Sequence, residues 1–222
     1  MALTDHVHEG DTSYVSLAAG CNIETYSSSA MRDIDIRRKL RVDKRLHCGE
    51  ADTRIVEELG LCQGIARVDI AVVNGSIHGY EIKSERDTLD RLPAQIDIYS
   101  RALDLVTVVT ARTHVEKVRK MVPQWWGIWT AVQGKEGPRL RSSRKALPNP
   151  DVIPFALAQL LWREEALEVL EKHGLANGMR SKPRQELWHR LASGLPLEDL
   201  GNIVRDRLRR RGANWRPLAL PA

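Results

Sequence analysis

The chain has 222 residues, enough to bury one good core and a small second domain, and its formal net charge of +5 with a pI near 9.3 suits a polyanionic partner. No stretch is apolar enough to span a membrane and the first thirty residues lack the apolar centre of a signal peptide, so a soluble, cytoplasmic protein is expected. Cys21, Cys48 and Cys62 form no CxxC pair, three thiols cannot by themselves complete a four-cysteine iron-sulfur site, and their scattered, odd usage fits a reducing compartment.

Residues 1–30 are polar, rich in glycine and serine and without sustained periodicity, and read as a flexible extension in which His6 and His8 are incidental. The organised chain begins near Met31 with a basic helix led by Ile34, Ile36 and Leu40. Residues 50–59, EADTRIVEEL, then read as a second helix, because Ile55, Val56 and Leu59 cluster on one side at the helical period. On that helix Glu58 flanks the buried stripe. It is the first choice for a supporting carboxylate, ahead of Glu57 and Glu50.

Residues 67–83, RVDIAVVNGSIHGYEIK, read as a hairpin. Val68, Ile70 and Val72 alternate with Asp69, Ala71 and Val73, and Asn74-Gly75 is a strong turn signal since both residues tolerate positive φ. On the return strand Gly79, Glu81 and Lys83 share one side and His78, Tyr80 and Ile82 the other. A three-residue loop, Asn74 to Ser76, or a bulge of equal parity near Gly79, sets Asp69 opposite Glu81; a two-residue turn would set it opposite Tyr80. The first register is expected. Ser84 and Asp87 have capping-box spacing, and Pro93 suits the first turn of a helix to about Leu103 that carries Gln95 and Tyr99 on one face.

Leu105 to Thr110 reads as a buried strand parallel to a neighbour, Thr113 to Met121 as a helix stopped by Pro123, and the segment after it as a hairpin turning at Gly134 to Gly137. Trp125, Trp126 and Trp129 are expected to pack, at least two of them in the core, with base stacking as the alternative. Beyond Pro148-Asn149-Pro150 the texture is helical. FALAQLLWREEALEVLEKHGL reads as one helix stopped at Gly174, and Glu165 to Ala192 faintly resembles a SAP-type DNA-binding helix pair, with a structural appendage as the favoured reading. The tail from Val204 to Arg216 carries arginine on most sides, and so is either a phosphate-gripping or a solvated helix.

Two carboxylates and an ammonium at this spacing suit metal-assisted hydrolysis. Carboxylate oxygens are hard ligands for Mg²⁺, which keeps several waters and takes few protein ligands beside a substrate phosphate, and a lysine can hold the attacking water.

The order Asp69, then Glu81-Ile82-Lys83, resembles the D…(D/E)xK signature of the PD-(D/E)XK nuclease superfamily, and the QxxxY spacing of Gln95 and Tyr99 resembles the motif of its RecB-like branch. The runs GIARVDIAVVNG, GYEIKSERDTLDRLPAQ, VTVV and PQWWGIW carry a closer likeness to a poorly characterised bacterial and phage branch, over about residues 31–133; it also makes Met31 an alternative start. The usual proline before the aspartate is absent, since Val68 stands there. The resemblance implies an α/β, restriction-endonuclease-like mixed sheet flanked by helices over residues 31–147, with a basic helical appendage over 148–222. It further implies a Mg²⁺-dependent deoxyribonuclease in which Mn²⁺ can substitute. Asp69, Glu81 and the backbone carbonyl of Ile82 would be the metal ligands, Lys83 and Glu58 the assisting groups, and Gln95, Tyr99, Arg86 and Arg91 the contacts to DNA. A non-cleaving nucleic-acid- or partner-binding protein on the same fold is the alternative, and a homodimer is left open.

Overall fold

The computed structural model describes residues 31–46, 53–135 and 137–211. They form a six-stranded mixed sheet whose spatial order follows the chain: β1 (Arg54–Leu61), β2 (Ala66–Val73), β3 (Ile77–Lys83), β4 (Leu105–Ala111), β5 (Gly127–Gly134) and β6 (Gly137–Arg144). Helix α1 (Asp33–Arg41) precedes the sheet. Between strands lie α2 (Leu92–Ala102) and α3 (Val115–Met121), and after them come α4 (Pro154–Ala158), α5 (Arg163–Lys172), α6 (Arg184–Gly194) and α7 (Leu197–Arg210). β1 to β3 form an antiparallel meander, β5 and β6 a hairpin, while α2 and α3 return the chain so that β3, β4 and β5 run parallel. These three strands therefore end on the same side of the sheet.

Two apolar layers sandwich the sheet. On one face Ile36 and Leu40 of α1 meet Ile70, Val72, Tyr80, Ile82, Val109 and Trp129. On the other, Val108, Ile128, Leu92, Tyr99 and Trp126 continue without a break into Leu157, Leu170, Leu187, Trp188, Val204 and Leu208 of the C-terminal helices. Those helices thus share the sheet's core. Arg205 of α7 fixes the junction through Asp104, at 2.8 and 2.9 Å.

The segment expected to be a helix at 50–59 is, where described, the strand β1. The misreading has a physical origin. Val56 and Leu59 lie three apart yet both face the same core as Leu61, because Glu58 between them has φ of +54° and shifts the strand's parity by one. The partner strand shifts at the same level: Val68 joins Ala71 and Val73, not Ile70 and Val72 as simple alternation requires. The ladder steps from Glu57 opposite Ile70 to Leu59 opposite Val68, leaving Glu58 and Asp69 facing each other across the distortion. A three-residue spacing of apolar groups in a strand imitates a helix.

The hairpin has the expected three-residue loop, with Val73 opposite Ile77 and Ile70 opposite Tyr80; the regular pairing stops there, and Asp69 Oδ2 accepts the Ile82 N–H at 2.6 Å. Gly134 and Gly137 close β5 and β6, and Trp125, Trp126 and Trp129 are all buried. The Ser84–Asp87 pair caps a turn rather than a helix, Asp87 accepting from the Ser84 amide at 2.7 Å. The single helix expected over 155–175 is broken into α4 and α5 at Gln159–Trp162, where Glu165 accepts the Trp162 N–H at 2.8 Å and starts a new helix. Gly174, at φ +68°, ends α5. The arginines of α7 turn toward acids of their own chain, Arg207 to Glu168 and Arg210 to Asp206. Among the described residues no helix is long and apolar enough to cross a membrane. The expected N-terminal extension, with His6, His8 and Cys21, lies outside the described residues, as do Cys48 and Glu50.

Candidate active site

Period-two alternation puts Glu81 and Lys83 on the same side of β3, where each is only 3% exposed. Burial of a lone charge is costly, and each removes the cost for the other: Lys83 Nζ donates to Glu81 Oε1 at 2.7 Å. Helix α2 supplies the rest of the shell. Gln95 donates to the same Glu81 oxygen at 2.7 Å and accepts from Lys83 Nζ at 3.0 Å, so one amide orients both charged groups. One turn on, Tyr99 Oη lies 2.6 Å from Glu81 Oε2 and 2.5 Å from the Arg67 carbonyl oxygen, its single proton facing two acceptors. Burial first, and then the charge of Glu81, hold the Tyr99 hydroxyl far above its ordinary pKa, so it remains protonated.

Asp69 sits where the sheet is distorted. Its Oδ2 accepts the Ile82 N–H at 2.6 Å and its Oδ1 receives Arg37 Nη2 at 2.8 Å. Burial, and next the charge of Glu81, raise its carboxyl to about 7; the Ile82 amide and Arg37 pull the other way. Two carboxylates are thus held close enough to repel one another.

Arg37 reaches this site from the opposite face of the sheet. Its guanidinium bonds the Asp69 carbonyl oxygen at 2.9 Å and pairs with Asp69, Glu58 at 3.1 Å and Asp33 at 3.3 Å. Burial pulls its pKa down, and the three acids more than offset this. A planar fork that fits several carboxylates is the property that distinguishes arginine from lysine here.

A cavity of about 570 Å³ opens among these groups, lined by Asp33, Arg37, Glu58, Asp69, Glu81, Ile82, Lys83, Arg91 and Gln95 among others. The donor set fits a hard divalent cation in part. Asp69 Oδ1, Asp69 Oδ2 and Glu81 Oε2 each accept one of the bonds described, whereas Glu81 Oε1 accepts two; the repulsion between the carboxylates is of the kind a cation relieves, and Ile82 follows Glu81 in the cavity lining. Among the described residues there is no group of three or more His, Cys, Asp or Glu placed to hold a metal ion, so any such ion would rely on water and substrate for the remaining positions.

Of the residues singled out from sequence, Asp69, Glu81, Lys83, Gln95 and Tyr99 come together, and Glu58, Ile82 and Arg91 line the same cavity. Glu58 arrives from a strand, not from the expected helix. Arg86 is exposed and outside the lining, and Glu57 points to Arg41, 3.1 Å away. Sequence reading missed Arg37 and Asp33. Their i, i+4 spacing on α1 was visible, but nothing local tells that a helix 32 positions before Asp69 crosses the sheet to reach it.

The sequence family described as bacteriophage P4 protein cII matches residues 39–216. The chain belongs to this family. Protein cII of Enterobacteria phage P4 itself is 26% identical over 154 residues, which are 69% of this chain and 58% of the phage protein, so the match spans less than two thirds of that relative's length. Among solved structures, the SPO1766 protein of unknown function from Silicibacter pomeroyi aligns over 67% of this chain and 94% of its own with a TM-score of 0.39 and 19% identity, too loose a likeness to carry an argument. The protein cII family match covers the sheet, the cavity residues from β1 onward and the C-terminal helices alike. Of the site described above, only Asp33 and Arg37 fall before it.

Proposed function

We propose that this protein is a metal-dependent nuclease that hydrolyses phosphodiester bonds in DNA, on the plan of the PD-(D/E)XK superfamily. The family's description names no activity, so the reading rests on the site. The observation that carries it is the buried Glu81–Lys83 pair, 2.7 Å apart, set beside Asp69 in a cavity at the carboxyl end of a parallel strand. A structural ion pair needs no cavity and no second carboxylate whose proton affinity is raised to about 7.

In this reading Asp69 and Glu81, with the Ile82 carbonyl, would hold Mg²⁺, or Mn²⁺ in its place, and when bound the cation would supply a water of lowered pKa and neutralise charge on the phosphate. Lys83 leaves its contact with Glu81 Oε1 to hold the attacking water or a developing oxyanion by a charge-assisted hydrogen bond. Gln95 keeps the Lys83 ammonium aimed into the cavity, and Tyr99 fixes the rotamer of Glu81 by its bond to Oε2. Arg91 at the mouth contacts a flanking phosphate.

The test is incubation of purified protein with linear, nicked and single-stranded DNA in Mg²⁺ or Mn²⁺, beside Lys83→Ala. Cleavage by the wild type that the variant loses supports the reading, and cleavage that persists unchanged overturns the assignment. The second reading, a binding protein that does not cut, is favoured by one observation. Arg37 already pairs with Asp69, one of the two carboxylates a cation would need, and with the supporting Glu58. DNA binding without cleavage in either metal would select it.

A further inference from the structure

The net charge is not spread along the chain. Residues 112–145 hold nine lysines and arginines against two glutamates, a surplus of seven where the whole chain has five, so the remainder is net acidic by two. Among the described residues most of these cations also have no carboxylate partner. Of the nine, Arg119 alone has a carboxylate within 4 Å among the described residues, Glu116 at 3.9 Å, whereas at least seven of the eleven between Arg163 and Arg211 are paired. Cations here even approach one another: burial first, and then Arg119, lower the pKa of Arg144.

Strand register ties this surplus to the cavity. Lys83 pairs with Thr110, Thr110 with Thr130, and Thr130 with Arg141, so one row of the sheet runs from the site to the outer strand on a single face. Three steps of about 4.8 Å set the Cα atoms of Lys83 and Arg141 roughly 14 Å apart. Arg139, opposite Val132, lies one row further toward the carboxyl ends; Arg112 follows β4 at that end, and Lys135 sits at the hairpin tip. All four are exposed.

We propose that the carboxyl ends of β3 to β5, with the amino end of β6 beside them, form a track for the phosphate backbone of duplex DNA, with Arg112, Lys135, Arg139 and Arg141 contacting phosphates on one flank of the Asp69–Glu81–Lys83 cavity. Only the location of the cut strand rests on the nuclease reading. The absence of exposed stacking groups among the described residues favours a duplex over a single strand. Among the described residues no aromatic side chain belongs to the exposed large apolar ones, and Trp125, Trp126 and Trp129 are buried. A row about as wide as a duplex groove fits backbone contact without base readout.

The experiment is fluorescence anisotropy of a labelled 20-bp duplex titrated with the full chain in EDTA across a salt series, comparing wild type, Lys135→Ala/Arg139→Ala/Arg141→Ala and a control, Lys172→Ala/Arg207→Ala/Arg210→Ala. Each lost phosphate contact lowers the slope of log K against log salt by about 0.9, so the first variant is expected to lose about 2.7 in slope and the control close to none. Equal loss in both variants, an unchanged slope in the first, no duplex binding by the wild type, or tighter binding of single-stranded DNA, RNA or an acidic polypeptide would overturn the track. Because the assay contains no divalent ion, it separates the two claims. Duplex binding lost in the first variant by a protein that never cuts leaves the track standing and removes the nuclease, and cleavage with undiminished binding in that variant does the reverse.

Discussion

Removing the ammonium from the buried pair gives the sharpest energetic forecast. In Lys83→Met the Glu81 carboxylate, 3% exposed, keeps Gln95 and Tyr99 but loses its counter-charge. Breaking one partner from a buried pair costs about 3–5 kcal/mol, since the remaining charge stays desolvated. Replacing both, as Glu81→Gln/Lys83→Met, removes the uncompensated charge and retains the volume, so the double variant is expected within about 2 kcal/mol of wild type. Urea unfolding in EDTA, followed by far-UV circular dichroism, reads all four corners of the cycle. If Glu81 also faces a cation-binding vacancy, Mg²⁺ restores part of the loss in Lys83→Met, by about 2.7 kcal/mol at a hundredfold excess over its Kd, and none in the double variant. A loss below about 1 kcal/mol in Lys83→Met, or equal rescue in both, refutes the reasoning.

Three further outcomes follow from the same geometry. Asp69, its folded pKa raised to about 7 against an unfolded value near 3.9, binds a proton on folding; stability in EDTA therefore falls as pH rises from about 4 through 7 and levels off above, a trend thermal melts should show and Asp69→Asn should flatten. Arg37→Met leaves Asp69, 19% exposed, without its guanidinium, and is expected to cost about 2–4 kcal/mol, discounted slightly for solvent, while tightening Mn²⁺ binding in a calorimetric titration; weaker Mn²⁺ binding would show that Arg37 orients the site instead of competing for it. In Gly127→Ala the new Cβ would meet Thr107 Oγ1 at 2.6 Å and the Ala146 backbone nitrogen at 2.9 Å, so a loss of about 1–3 kcal/mol in denaturant unfolding is expected, with no change in metal binding.

Local pattern made much of this architecture legible. Alternation and the Asn74-Gly75 signal led to the β2–β3 register, and with it to Asp69, Glu81 and Lys83 around a shared cavity; i, i+4 spacing led to Gln95 and Tyr99 on one side of α2. What escaped was non-local. Glu58 adopts a backbone conformation rare for a residue with a side chain, matched by a shift at Asp69 on the next strand, and the pair turns a strand pattern into a helical one. Arg37 reads as one more surface cation of a basic helix until the packing of α1 on the far side of the sheet is known. Of the tail read as a grip or a solvated face, Arg205 and Arg207 answer acids brought near by the fold, Asp104 and Glu168, whereas Arg210 is solvated and pairs within its own helix with Asp206; residues 212–216 lie outside the described residues. Among the described residues, the cations of α3 and the β5–β6 hairpin other than Arg119 have no carboxylate within 4 Å.

Cation binding at the two carboxylates tests the central claim most directly. Titration of Mn²⁺ into the metal-free protein at pH 8, read by electron paramagnetic resonance, is expected to show binding that Asp69→Asn and Glu81→Gln each abolish or weaken at least tenfold. Retention of the full wild-type affinity in both variants would contradict it.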